Sequence, residues 1–298
     1  MPSLIDSHCH LDDVAFDGDR DRVLARARDA GIEAIVIPAT HRRHWPRLLA
    51  LCAKGDRHFT DDREAAPGIR FAPAGLPEAN HQRDIQLSSP PPPSLPRLFP
   101  ALGLHPIYSG EHRDDDLQAL ADYLDAASPV AIGEIGLDYF VADADRARQQ
   151  HLLEAQLALA EQHRLPVILH CRKAHDALLM TLKRFNLVGG IAHAFNGSFQ
   201  QAGRFIELGF HLGYGGMLTY ERSRRIRDNA RRLPLDAIVL ETDAPDMVVS
   251  AHHGGRNEPG YLPMCLDALA GLRGVDRAAI AAATTANAKR ALALPAEN

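Results

Sequence analysis

A chain of 298 residues with a hydrophobic fraction of 46% can bury a substantial core, as one large α/β barrel or as two ordinary domains. Its formal net charge of −5 excludes a broad basic groove that would wrap duplex DNA through many phosphates, although bound divalent metals would add positive charge that the formal count omits. No stretch approaches the roughly 20 apolar residues of a membrane span, the N-terminus lacks a secretory pattern, and Cys9, Cys52, Cys171 and Cys265 form no CxxC pair; a soluble, cytoplasmic chain with reduced thiols is expected.

The first element is Ser3 to Leu11, SLIDSHCHL, an apolar run that ends in two histidines one residue apart. As an extended strand it puts Asp6, His8 and His10 on one face and Ser7 and Cys9 on the other. Helical spacing runs from Asp19 to Ala30 and stops at Gly31, a natural C-cap. Ile32 to Ala39 is a buried strand, and His44 to Cys52 a second helix. From Ala53 to Pro96 the rhythm breaks into charged residues and then SSPPPPSLP, where Pro90 to Pro93 is extended polyproline with no backbone donors for a sheet. This Pro-rich stretch is expected to be a surface insertion ahead of the third strand, on the N-terminal face of a barrel.

Arg97 to His105 restores the pattern with a third strand ending in His-Pro, and Asp114 to Ala127 is an amphipathic helix opening on three aspartates, which suits the positive end of its dipole. Strands follow at Val130 to Leu137, Pro166 to His170, Gly189 to Ala194, His211 to Gly215 and Asp236 to Thr242. Between them lie helices at Asp145 to His163, Ala174 to Phe185 and Ser198 to Leu208, then an arginine-rich helix; Leu262 to Leu272 and Thr284 to Leu292 finish the chain. About eight strands with intervening helices predict a single (β/α)8 TIM-type barrel over residues 1–298. The open doubly wound alternative lacks a G-x-G-x-x-G after the first strand, which argues against a dinucleotide enzyme.

Active sites of such barrels sit at the C-terminal mouth of the strands. Ligand-type side chains recur at or near those ends: His8 and His10, Glu134, His170, His193 and Asp243. An HxH pair alone says little, and a single histidine is equally at home in a core, but a carboxylate in an apolar strand such as Glu134 is costly unless paired. Six ligands exceed what one tetrahedral zinc takes. Two divalent ions account for the number: His8, His10 and Asp243 on the first, His170 and His193 on the second, Glu134 bridging, and a shared hydroxide between them. Mixed N/O donors admit Zn, Mn, Fe or Mg.

The motifs IDSHCHLD (Ile5 to Asp12), ALGLHP (Ala101 to Pro106), AIGEIGLDY (Ala131 to Tyr139), ILHCRKAHD (Ile168 to Asp176), HAFNGS (His193 to Ser198), LETDAP (Leu240 to Pro245), GGRNEP (Gly254 to Pro259) and TTANAKR (Thr284 to Arg290) span nearly the whole chain. Together the chain resembles the TatD family of metal-dependent hydrolases, within the amidohydrolase-like barrels. The resemblance implies a deoxyribonuclease with 3′-to-5′ exonuclease character that acts on DNA or oligonucleotide ends, with no obligate protein partner. It also implies that the six residues above are the metal ligands and that His105 lies beside them, placed to touch phosphate or to protonate the departing oxygen. Asp243 is expected to orient the nucleophile and accept its proton, and Arg172 and Arg256 are candidate phosphate contacts through their planar donor forks. A metal-dependent amidase, lactonase or deacylase on the same scaffold is the alternative, because the ligand set does not separate carbonyl from phosphoryl attack.

Overall fold

The computed structural model describes residues 3–53, 94–141 and 143–295. The greater part of the Pro-rich insertion expected over 53–96 lies outside them. Eight strands run in sequence order in one parallel sheet: β1 (Leu4–Asp6), β2 (Ile32–Pro38), β3 (Arg97–Leu102), β4 (Ala131–Asp138), β5 (Val167–Arg172), β6 (Gly190–Ala192), β7 (Phe210–Tyr214) and β8 (Ile238–Leu240). The ring closes between β8 and β1, where Ser7 N–H donates to Leu240 O at 3.1 Å and Asp243 N–H to His8 O at 2.9 Å. Helices return the chain between strands: α1 (Arg20–Asp29), α2 (45–53), α3 (Asp114–Ala127), α4 (Arg146–His163), α5 (His175–Leu182), α6 (Phe199–Glu207), α7 (Arg224–Arg232), α8 (Leu262–Arg273) and α9 (Arg277–Ala291). This is the (β/α)8 barrel that the alternation predicts.

The core divides as strand alternation requires. Ile5, Ala34, Val36, Ala101, Ala131, Ile168, Ile191 and Val239 point into the barrel and are stoppered from below by Ala288, Ala291, Leu292 and Leu294 at the chain's end. Their strand neighbours Leu4, Ile35, Ile37, Leu102, Ile132, Val167, Leu169, Leu212 and Leu240 point outward and pack under the helices. The caps follow the sequence: Gly31 at φ +85° ends α1, Asp145 accepts from Arg148 N–H at the start of α4, and Ser198 and Gln201 form a capping box on α6.

Boundaries shift at several elements, β3 ending at Leu102 rather than His105 and β8 covering only Ile238–Leu240, and two of the shifts are large. The first strand stops at Asp6 rather than carrying the histidines, and the chain bends at Ser7. Asp6 therefore leaves the face of His8 and His10, and its carboxylate instead accepts from Thr242 N–H at 2.9 Å and Thr242 Oγ1–H at 2.6 Å. The last helix starts at Arg277, seven residues before the expected Thr284, capped by Asp276. Its alanine-rich first half offers no apolar contrast from which a period could be read.

Candidate metal centre

Each donor reaches the mouth by a different local device. His8 and His10 follow β1, with His10 N–H bonded to Ala244 O and Cys9 N–H to Val36 O, so this segment is strapped to both neighbouring strands. Glu134 lies in the middle of β4 rather than at its end. The register of β4 on β5 shifts between Ile132 and Ile135, and at Gly136 (φ +151°) a Cβ would stand 1.9 Å from His170 O, so the two backbones approach more closely than any side chain permits. His170 points inward on β5 two residues after Ile168, and His193 two residues after Ile191 on β6. His105 follows β3 and Asp243 follows β8.

The two oxygens of Glu134 face two different groups. Oε1 lies 2.8 Å from His193 Nε2, 2.9 Å from His170 Nδ1 and 3.1 Å from His105 Nε2. Oε2 lies 3.2 Å from His8 Nε2 and 3.5 Å from His10 Nε2. Asp243 Oδ1 completes the latter group, 3.5 Å from His8 Nε2 and 3.7 Å from His10 Nε2. All six predicted donors thus converge, and His105 joins them.

The remaining hydrogen bonds fix which nitrogens look inward. His10 Nδ1–H donates to Pro38 O at 3.1 Å, and His170 Nε2–H to Asp138 Oδ2 at 3.0 Å, which leaves His10 Nε2 and His170 Nδ1 as lone pairs aimed at the centre. His105 Nδ1 accepts from Ile107 N–H at 3.1 Å, so its Nε2 carries the proton. Lone pairs and carboxylate oxygens packed this closely repel one another unless positive charge sits among them, and the donor set is the mixed N/O set that divalent metals take. His8, His10 and Asp243 present atoms within 4.8 Å of one another, as do His105, Glu134 and His170.

The electrostatics agree. Burial opposes ionisation of Glu134, but His193, His105 and His8 hold its carboxyl well below the usual carboxylate range. Glu134 and Asp243 favour positive charge at His10, raising it to about 9 against the cost of burial; a divalent ion among these donors would supply that charge and leave Nε2 its lone pair. Burial pushes Asp243 up to about 6 and His105 down to about 4. His105 Nε2–H is placed to donate a hydrogen bond into the centre.

The centre opens into a cavity of about 670 Å³ lined, among others, by Thr40, His44, His105, Tyr108, Arg172, Asn196 and Asp246. Arg172 lies on this wall. Arg256 does not: its guanidinium is forked onto both oxygens of Asp19 at 2.8 Å, donates to Ala15 O at 2.6 Å and covers the Phe16 ring. It is a strut between the loop after β8 and the start of α1, and it is removed from the phosphate contacts.

Sequence reasoning missed two carboxylates. Asp138, fully buried, orients His170. Glu241, 1% exposed, accepts from Ala194 N–H at 2.6 Å and stands 3.7 Å from His193 Nδ1, and with His8 and His193 it makes a further group of metal-ligand geometry. Alternation holds the signal for Glu241, since Val239, Glu241 and Asp243 share the inward face.

A parallel eight-stranded barrel with clustered histidines and carboxylates at its C-terminal mouth defines a metal-dependent hydrolase. The family model for TatD related DNase matches residues 5–293, and the chain belongs to the TatD family. An uncharacterized metal-dependent hydrolase of Escherichia coli K12, YjjV, is 41% identical over 258 residues, 86% of this chain and 84% of its own. The crystal structure of that TatD homolog superposes with a TM-score of 0.81 at 38% identity, covering 98% of both chains. A 3′-5′ ssDNA/RNA exonuclease TatD from Erwinia billingiae is 29% identical over 300 residues, 98% of this chain and the whole of its own. Among the described residues, no helix is long and apolar enough to cross a membrane.

Proposed function

We propose that this hydrolase is a phosphodiesterase that removes nucleotides from the 3′ ends of single-stranded DNA or RNA, using two divalent ions. The observation that carries the two-ion reading is the division of Glu134, whose Oε1 serves His170, His193 and His105 while Oε2 serves His8 and His10. His8, His10 and Asp243 would hold one ion, His170 and His193 the other, and Glu134 would bridge. When bound, the ions supply Lewis acidity to a phosphoryl oxygen and lower the pKa of the attacking water. The nuclease assignment draws on the exonuclease name of the Erwinia relative and on the guanidinium that Arg172 brings to the cavity wall.

The chain's own residues then divide the work. Asp243, 14% exposed to the cavity, orients the attacking water and takes its proton. His105 Nε2–H donates to a phosphate oxygen, and Arg172 presents its guanidinium fork to another. Asp138 and Pro38 O keep the His170 and His10 rings from turning.

The test is to strip the protein with chelator, restore Mg²⁺, Mn²⁺ or Zn²⁺ singly, and follow 3′-labelled single-stranded DNA and RNA beside a panel of carboxylic esters and amides. Metal-dependent release of mononucleotides, lost in Glu134→Ala, is expected. Turnover of the carbonyl panel with intact oligonucleotides would instead establish an amidase, lactonase or deacylase.

A further inference from the structure

Beside the cavity the turn after β4 carries an aromatic ring that the reaction scheme does not use. Phe140 is 54% exposed, and its backbone N–H donates to Asp138 Oδ1 at 2.9 Å. The other oxygen of that carboxylate holds His170 Nε2 at 3.0 Å and lies 3.8 Å from Arg172 Nη1. One buried carboxylate therefore touches the Phe140 backbone, the cavity-wall arginine and a histidine of the donor cluster.

Two cations meet the ring. Arg172 Cζ lies 4.1 Å from its centroid and Lys173 Nζ 4.7 Å. Consecutive residues of an extended strand point to opposite sides. Arg172 is the last residue of β5, and Lys173 turns into the left-handed region at φ +53°, which lets both side chains reach the same ring. An exposed phenylalanine alone is unremarkable. One that stands beside the mouth, more than half exposed and with two cations close by, has the composition with which proteins grip single-stranded nucleic acid, base on ring and phosphate on cation.

We propose that Phe140 and Lys173, beside Arg172, form a subsite for one nucleotide of a single-stranded substrate, its base stacked on Phe140 and its phosphate against Lys173, next to the phosphate being cleaved, which Arg172 faces. The proposal rests on the nucleic-acid reading above. With a net charge of −5 the chain draws little on long-range attraction, and stacking supplies an affinity that does not depend on net charge. Bases inside a duplex are already stacked and offer no free face, so the subsite selects unpaired ends.

The experiment compares kcat/KM on a 3′-labelled single-stranded oligodeoxynucleotide and on the same backbone with abasic tetrahydrofuran units at its 3′ end. Wild type, Phe140→Ala and Phe140→Trp are measured on both substrates. Wild type is expected to prefer the base-bearing end by about tenfold, as one stacked base warrants. Phe140→Ala should bring the ratio near one, chiefly through KM, and Phe140→Trp should restore it. A ratio unchanged in Phe140→Ala, or near one already in wild type, overturns the subsite and leaves the nuclease reading standing. A wild-type protein that releases nothing from either strand overturns both.

Discussion

Glu241 shows how one carboxylate depends on the absence of a side chain across the barrel. Its inward path between β7 and β8 is open because residue 213 is glycine; a Cβ there would stand 2.1 Å from Glu241 Oε2. The carboxylate cannot simply retreat, since Oε1 is anchored to Ala194 N–H at 2.6 Å, directly after His193. Gly213→Ala is therefore expected to break that anchor and turn the His193 ring, at a loss of roughly 10- to 100-fold in metal affinity or turnover, the usual penalty for disturbing a ligand's support. Glu241→Gln keeps an acceptor for Ala194 and should lose less. Calorimetric titration of apoprotein with Mn²⁺ measures both, and wild-type affinity in Gly213→Ala would mean that the carboxylate supports nothing. Neither residue stands out from composition alone. Glu241 becomes legible once Asp243 is taken as inward and the count is carried back two positions; Gly213 becomes legible only when β7 is laid beside β8.

At the scale of elements, α4 does more than cover the sheet. The sequence reading gave its apolar side to Leu152, Leu153, Leu157 and Leu159, and the first three of these are buried. Gln149 and Gln156 share that buried face, 1% and 0% exposed. Gln156 accepts from Leu104 N–H at 2.7 Å and donates to Leu104 O at 3.3 Å, while Gln149 does the same for Asp138 at 2.8 and 3.1 Å. Two side chains two turns apart thus act as surrogate strand neighbours for Leu104, just past β3 and directly before His105, and for Asp138, the last residue of β4 and two before Phe140. Periodicity cannot find such residues, because glutamine on a helix reads as solvent-facing. Gln156→Leu fills nearly the same space but leaves the buried N–H and C=O of Leu104 unpaired, which costs about 1–3 kcal/mol. Thermal denaturation should show it, whereas exposed Gln118→Leu is expected to stay within about 0.5 kcal/mol of wild type. Equal effects of the two would remove the bracing role of α4.

For the whole molecule, the fold and the donor set were readable for the same reason. Apolar runs ending in histidine or carboxylate give both the strand count and the position of the mouth, so each supports the other. What the pattern left out was local: the bend at Ser7 that separates Asp6 from the histidines, the register shift that brings a mid-strand Glu134 inward, and the pairing of Arg256 with Asp19. The donors come from positions as far apart as His8 and Asp243, so the centre exists only in the folded chain and metal binding must stabilise that state. At a free-metal concentration about 100 times Kd the gain is about 2.7 kcal/mol, which for a chain of this size raises Tm by roughly 4 to 5 °C. Chelated protein should lose that increment and regain it with Mn²⁺ or Zn²⁺. Glu134→Ala should abolish most of the response, because it removes a carboxylate that faces both halves of the centre. Arg256→Ala, which breaks a strut away from the cavity, should lower Tm with and without metal while leaving the increment intact. The reverse pattern, a metal response lost in Arg256→Ala and kept in Glu134→Ala, would move the ion to the β8–α1 junction and away from the barrel mouth.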